Sequence, residues 1–245
     1  MSHLRPICTI VGAGEGLGRS LAKKFATHGF DIALISRSER NAAPILDAIQ
    51  KENADVTARF FSADVTDTNA VELAFAQIRK DLGDTSTLLY TARGDYTAYE
   101  PLALPYDVLE HVFRVEVMGA FAAAKSVLPS MIERQKGKIF FTSATAAFRG
   151  SANFPQYAIA KFGMRALSQS LAKAYSKNGI HVAHMRLDLD LDVPIMRAFH
   201  AKSDHEPNMV APDDVAQSFW LTHQQPKTAW SNEVELRPFT ENWTY

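Results

Sequence analysis

Tyr157 and Lys161 stand four residues apart, a spacing that puts a phenol and an ammonium on one face if the segment is helical. A phenol so placed can give a proton to a carbonyl oxygen, or take one from an alcohol, near neutral pH. A neighbouring cation favours phenolate over phenol, so Lys161 is expected to hold Tyr157 below the ordinary value of about 10. The pattern is short, and it gains meaning from a second motif far upstream.

That motif is a glycine turn. Gly12, Gly16, Leu17 and Gly18 lie just after the apolar run Ile7–Val11, and Leu17, Leu21 and Phe25 then recur at helical spacing as far as Gly29. Glycine lets the backbone turn sharply and approach a pyrophosphate closely, and the helix start offers free N–H groups to the anion. Strand, turn and helix follow in the order that a dinucleotide site requires. A second strand, 31–35, leads into Ser36 and Arg37. Folds that choose NAD usually place an acid there for the ribose 2′-hydroxyl. Arginine instead suits a 2′-phosphate, so NADP(H) is favoured over NAD(H).

Further strands are expected at 57–61, 87–91, 138–142, 181–187 and Glu233–Leu236. Helices are marked by Ile45 and Ile49, by Val71, Phe75, Ile78 and Leu82, by a long region at 106–135, by 155–177 and by Pro212–His223. The alternation predicts an α/β fold: one doubly wound, Rossmann-type parallel sheet of about seven strands with helices on both faces. With 245 residues, 47% of them hydrophobic, one domain over 1–245 has enough core to cover such a sheet on both sides. Residues 202–208 are expected to form a mobile loop.

A net charge of −1 without a basic stripe argues against a nucleic-acid partner. No apolar run approaches the roughly 20 residues that span a bilayer, and no targeting segment is read at the N-terminus. The single cysteine, Cys8, lies in an apolar run and is expected to be buried and inert, in keeping with a reducing, cytoplasmic location. The sequon beginning at Asn242 is attributed to chance.

In order and spacing these residues resemble the short-chain dehydrogenase/reductase family over nearly the whole chain. Gly12-x-x-x-Gly16-x-Gly18 is similar to its T-G-x-x-x-G-x-G, with Val11 in place of the threonine, and Tyr157 and Lys161 match its Y-x-x-x-K. Asp64-Val65 resembles its adenine-contacting acid and neighbour, Gly137-Lys138-Ile139 the start of its fifth strand, and Pro212-x-Asp214-Val215-Ala216 its P-x-D-V-A. The resemblance implies hydride transfer between NADP(H) and a carbonyl or alcohol. The tyrosine would act as acid or base, and the lysine would tune it and hold the nicotinamide ribose. A serine would donate to the carbonyl, and an asparagine would hold a relay water. It also implies a homodimer or homotetramer built through two long helices, for which Val115, Gly119, Ala122 and Ala123 are small enough.

Four places depart from that pattern. The serine position, thirteen before Tyr157, is Ala144; Ser143 and Thr145 flank it, and Ser143 is preferred as the donor. The asparagine position is Glu116, which would pair with Lys161 or with Arg114. The family's N-N-A-G becomes Tyr90-Thr91-Ala92-Arg93, keeping only Ala92 among the cofactor contacts; Arg93 is expected to point to solvent. The P-G after the sixth strand becomes Leu187-Asp188-Leu189-Asp190-Leu191-Asp192, read as a solvated acidic edge rather than a metal loop, since Val193-Pro194 stands where a calcium loop needs glycine.

Other candidates carry less. His181 and His184 fall on opposite faces of a strand, no Cys/His spacing suggests zinc, and no G-x-S-x-G elbow supports a serine hydrolase. His200 and His205 fall in the presumed substrate loop. Trp220, Trp230, Phe239 and Trp243 form an aromatic C-terminal region, expected either to pack on the sheet edge or to meet another subunit. The expected function is NADPH-dependent reduction of a small or medium, largely apolar carbonyl compound. The rival reading is a nucleotide-binding protein with little turnover.

Overall fold

The structure is a computed structural model and describes residues 5–200 and 209–240. The loop at 202–208 with His205, the sequon at Asn242 and Trp243 lie outside the described residues.

Seven parallel strands form the sheet: β1 (Ile7–Val11), β2 (Asp31–Ser36), β3 (Ala58–Ser62), β4 (Thr85–Tyr90), β5 (Gly137–Ala144), β6 (Ile180–Leu187) and, at its edge, Glu233–Leu236, in the order β3-β2-β1-β4-β5-β6-edge. Chain order reverses between β1 and β4, and the crevice beyond the carboxyl ends of strands at such a switch point is where open α/β sheets bind ligands.

Helices cover both faces. Leu21 and Phe25 of α1 (Leu17–Thr27) and Ile45 and Ile49 of α2 (Glu39–Glu52) pack on one side. Val71, Phe75 and Ile78 of α3 (Thr68–Asp81) pack on the other. The long region predicted at 106–135 is one continuous helical stretch, Tyr106–Glu133, but not a uniform one. It comprises α4 (Tyr106–Phe113), a π-helical turn (Arg114–Met118) and α5 (Gly119–Glu133). Its 28 residues are long and apolar enough to cross a membrane, yet most of that apolar stretch is buried within this fold. Next comes α6 (Pro155–Tyr175), which ends two residues before its predicted stop.

The stretch around the presumed substrate loop carries structure of its own among the described residues. A two-stranded parallel ribbon pairs β7 (Asp190–Leu191) with β8 (Met209–Val210), and α7 (Pro194–His200) follows β7. Then α8 (Pro212–His223) packs beside α1, and Glu233–Leu236 becomes β9. Trp220 of α8 stacks on His28 with centroids 3.8 Å apart and meets Phe25 edge-on. Trp230 stacks on His181 at 4.9 Å. Among the described residues, only Trp230 meets the expectation of packing beside the sheet edge, on β6; Trp220 packs on α1 instead, and Phe239 is fully exposed.

The small residues expected at a subunit contact point inward instead. Val115, Gly119, Ala122 and Ala123 are all buried. The exposed large apolar side chains of the long helices are Tyr106, at the start of α4, and Phe113, Met118, Phe121, Ile159 and Phe162. The outward positions of α5 are Phe121, Lys125, Pro129 and Glu133, so its small residues serve packing inside the chain. Cys8 is buried, and burial pushes its thiol up, as expected.

Candidate active site

Pro155 opens α6 at its first position, where a fixed φ suits the helix and no N–H is missed. Tyr157 and Lys161 therefore fall on consecutive turns of one face. The Lys161 ammonium lies 5.2 Å from the centroid of the Tyr157 ring. Tyr157 is 9% exposed and Lys161 3%. Both line a cavity of about 850 Å³ at the carboxyl ends of the strands.

The glycine turn forms another wall of the same cavity, with Gly12, Gly16, Leu17 and Gly18 lining it. Gly12 has φ +91°, and a Cβ there would sit 2.3 Å from the backbone nitrogen of Ala92. Its glycine is thus required by the approach of the chain leaving β4, and Ala92 is buried there. No side chain caps the start of α1, which leaves the helix-start N–H groups to an anion. Ser143 also lines the cavity. Ser36, Arg37, Asp64 and Val65 do not. They cluster beyond the ends of β2 and β3, where the Ser62 hydroxyl donates to the Arg37 carbonyl and hydrogen bonds from Thr66 hold the Asp64 carboxyl below its usual range.

A profile described as short chain dehydrogenase matches residues 6–187. The chain belongs to that family. An uncharacterized oxidoreductase of Bacillus subtilis, YxbG, is 30% identical over 174 residues, 71% of this chain; the matched part spans 62% of that relative. Carbonyl reductase family member 4 of Xenopus laevis is 25% identical over 232 residues, covering 90% of this chain and 92% of its own. An alcohol dehydrogenase from the archaeon Thermococcus sibiricus, solved with 5-hydroxy-NADP, has the same fold at a TM-score of 0.85, with 20% identity, 98% of this chain and 100% of that chain covered.

Against the short-chain dehydrogenase pattern, the four departures take definite shapes. Ser143 is 3% exposed, and its hydroxyl has no hydrogen-bond partner among the described residues. Strand alternation puts it on the face of Ile139 and Phe141, the side of the sheet that α6 covers. Ala144 and Thr145 also line the cavity.

Glu116 is wholly buried and pairs with Lys161, not Arg114: its Oε2 lies 2.7 Å from Lys161 Nζ, while Arg114 pairs with Glu110. Glu116 Oε1 accepts from the Gly94 backbone N–H at 3.0 Å, and the Thr142 carbonyl takes a second Lys161 donor at 3.2 Å. The expected lowering of Tyr157 does not follow. Burial raises the Tyr157 phenol above its ordinary value, Lys161 pulls it down, Glu116 pushes it up again, and the net direction is upward. Lys161 is opposed by burial but is carried above its ordinary value by Glu116 and Tyr157.

Two supports escaped sequence reasoning. Tyr90, in the place of the family's first asparagine, is fully buried and donates its hydroxyl to the Val115 carbonyl inside the π-turn. Gly119 makes room for it, since a Cβ there would stand 2.5 Å from the Tyr90 oxygen. The signal was present as a bulky polar residue ending a buried strand. Its partner, 25 residues on, was not legible.

The second is an aromatic wall. Tyr96 stacks on Phe154 at 4.3 Å and meets Tyr157 edge-on at 5.1 Å. Arg93 is exposed, but it lines the cavity with its guanidinium 5.6 Å above the Tyr96 ring. The solvent expectation for Arg93 is therefore only half met.

The acidic run is not a free solvated edge. Asp188 is buried with the Arg237 guanidinium 2.5 Å away, Asp190 meets His200 at 2.8 Å, and Asp192 forms a two-pronged pair with Arg197. No group of three or more metal-ligating side chains is found among the described residues.

Proposed function

We propose that this short-chain dehydrogenase is an NADPH-dependent carbonyl reductase, run in reverse as an alcohol dehydrogenase. The observation that carries the reading is the burial of Tyr157 and Lys161 side by side in a cavity whose other wall is the uncapped glycine turn.

The residues present fit a nicotinamide dinucleotide. The turn at Gly12, Gly16, Leu17 and Gly18 with the start of α1 would take the diphosphate. Arg37 and Ser36 would take a 2′-phosphate, and Asp64, Val65 and Ala92 would border the adenosine. Lys161 has three donors, of which Glu116 and Thr142 occupy two; the third would hold the nicotinamide ribose. The cofactor, when bound, supplies the hydride that reaches the carbonyl carbon. Tyr157 gives its proton to the carbonyl oxygen, Ser143 donates a hydrogen bond to the same oxygen, and solvent returns the proton to Tyr157. The Tyr96–Phe154 wall favours a small or medium, largely apolar carbonyl compound. The exposed apolar side chains Phe113, Met118, Phe121, Ile159 and Phe162 of the two long helical stretches support a homodimer or homotetramer, and buried Cys8 suits a cytoplasmic setting.

Absorbance of NADPH followed with aldehydes, ketones, diketones and quinones tests the reading. Oxidation is expected in the wild type and is expected to fall about 10²–10⁴-fold in Tyr157→Phe, the range for losing a general acid. Turnover unchanged in Tyr157→Phe would overturn it. Ala144 and Glu116 favour a second reading, a nucleotide-binding sensor or scaffold; NADPH binding with no turnover on any of these carbonyls would support it.

A further inference from the structure

We propose that Glu116 is a positioning residue that holds Lys161 and cancels its charge beside Tyr157, so that the lysine orients the phenol and the ribose without drawing the phenol toward phenolate. The inference deepens the reductase reading and rests on it for its consequence in turnover.

The geometry starts in the helix. The π-turn at Arg114–Met118 takes the polar Glu116 into the core, where it is wholly buried beneath Lys161. Both carboxylate oxygens are engaged, one by the Lys161 ammonium at 2.7 Å and one by the Gly94 N–H at 3.0 Å. Glu116 itself does not line the cavity, whereas Lys161 and Tyr157 do. It therefore acts on the site only through its charge and through the place it gives Lys161.

A buried cation beside a phenol stabilises phenolate, and a buried anion bonded to that cation cancels much of the effect. Other charged groups also face the pair. Arg93 and Tyr96 reach Tyr157 from the segment after β4, with Arg93 favouring phenolate and Tyr96 opposing it. His184 of β6 lies within range of Lys161, and its ring is held neutral by burial. Of the groups facing Tyr157, Glu116 is the full negative charge in direct contact with Lys161. An asparagine in its place would leave Lys161 uncompensated.

The test is an ultraviolet titration of tyrosinate, taken as the difference between each protein and the same protein carrying Tyr157→Phe. It needs no turnover, so it remains decisive if no substrate is found, an outcome that would count against the reductase reading alone. Glu116→Gln keeps an oxygen for the Lys161 ammonium and removes the charge. It is expected to lower the Tyr157 midpoint by about one pH unit or more. Glu116→Asp, which keeps the charge, is expected to leave the midpoint near that of the wild type. If Glu116→Gln does not fold by circular dichroism, Glu116→Asn replaces it with the same expected direction. With a substrate in hand, the alkaline fall of reduction is expected to move down by the same amount. A midpoint that stays in place or rises in the charge-removing variant, or that falls equally in Glu116→Asp, would overturn the proposal.

Discussion

The Gln156 side-chain amide donates to the Thr97 carbonyl at 2.7 Å, joining the first turn of α6 to the segment after β4. Gln156 is wholly buried and immediately precedes Tyr157, so this bond fixes where the phenol enters the cavity. Gln156→Ala is expected to cost about 1 kcal/mol of stability, the worth of one part-buried hydrogen bond. A displacement of the phenol by an ångström can cost about 100-fold in turnover. Urea unfolding and steady-state kinetics on the same preparation would separate the two effects.

The buried, unpartnered hydroxyl of Ser143 distinguishes it from Thr145, whose position is only partly buried. Ser143→Ala is expected to reduce kcat on the order of 10²–10³-fold, as for loss of one preorganised donor, and Thr145→Ala to change it little. Single-turnover reduction with prebound NADPH would check both. The reverse ranking would move the donor role to Thr145.

Arg37 stands exposed beyond β2, and its charge reaches Asp64. Arg37→Ala is expected to weaken NADPH binding by about ten-fold or more, the worth of a charge-assisted hydrogen bond, and to leave NADH binding nearly unchanged. Calorimetric titration with each cofactor decides it. Equal losses for both would remove the basis for an NADP(H) preference.

Burial lowers His184 from 6.5 to about 4 and His223 from 6.5 to about 3. Below pH 6.5 the unfolded chain takes up protons that the folded chain refuses. Stability is therefore full above the ordinary histidine value and is lost as pH falls from 6.5 toward 4. His184 has no partner on either ring nitrogen among the described residues. His184→Leu is expected to flatten part of that acid slope, by up to about 3 kcal/mol at its foot. Melting temperatures from pH 7 to 4.5 would show it, and an unaltered slope would refute it.

The sheet, its winding and the glycine turn were legible because each rests on local signals: apolar runs, helical spacing and glycines after a strand. Tyr157 and Lys161 were legible for the same reason, being four residues apart on one helix. The net direction of the Tyr157 shift was not, because it depends on burial and on a carboxylate 45 residues from Lys161. The aspartates at 188, 190 and 192 looked like an acidic edge because Arg197, His200 and Arg237 become their partners only in the folded chain. The π-turn was hidden as well. One extra residue in a turn barely disturbs the periodicity of a stretch that is apolar on most sides.

That turn also makes the helix sensitive to length. A π-turn holds one residue more than an α-turn, so removing one residue from Arg114–Met118 would let the stretch close into regular α-helix. The turn takes up its extra residue locally, so α4 and α5 would keep their angular phase and Phe113 its face. The cost would fall on the turn itself, where Glu116 reaches Lys161 and the Val115 carbonyl accepts from Tyr90. A deletion of one residue there is expected to undo both contacts at once, which a single substitution does not.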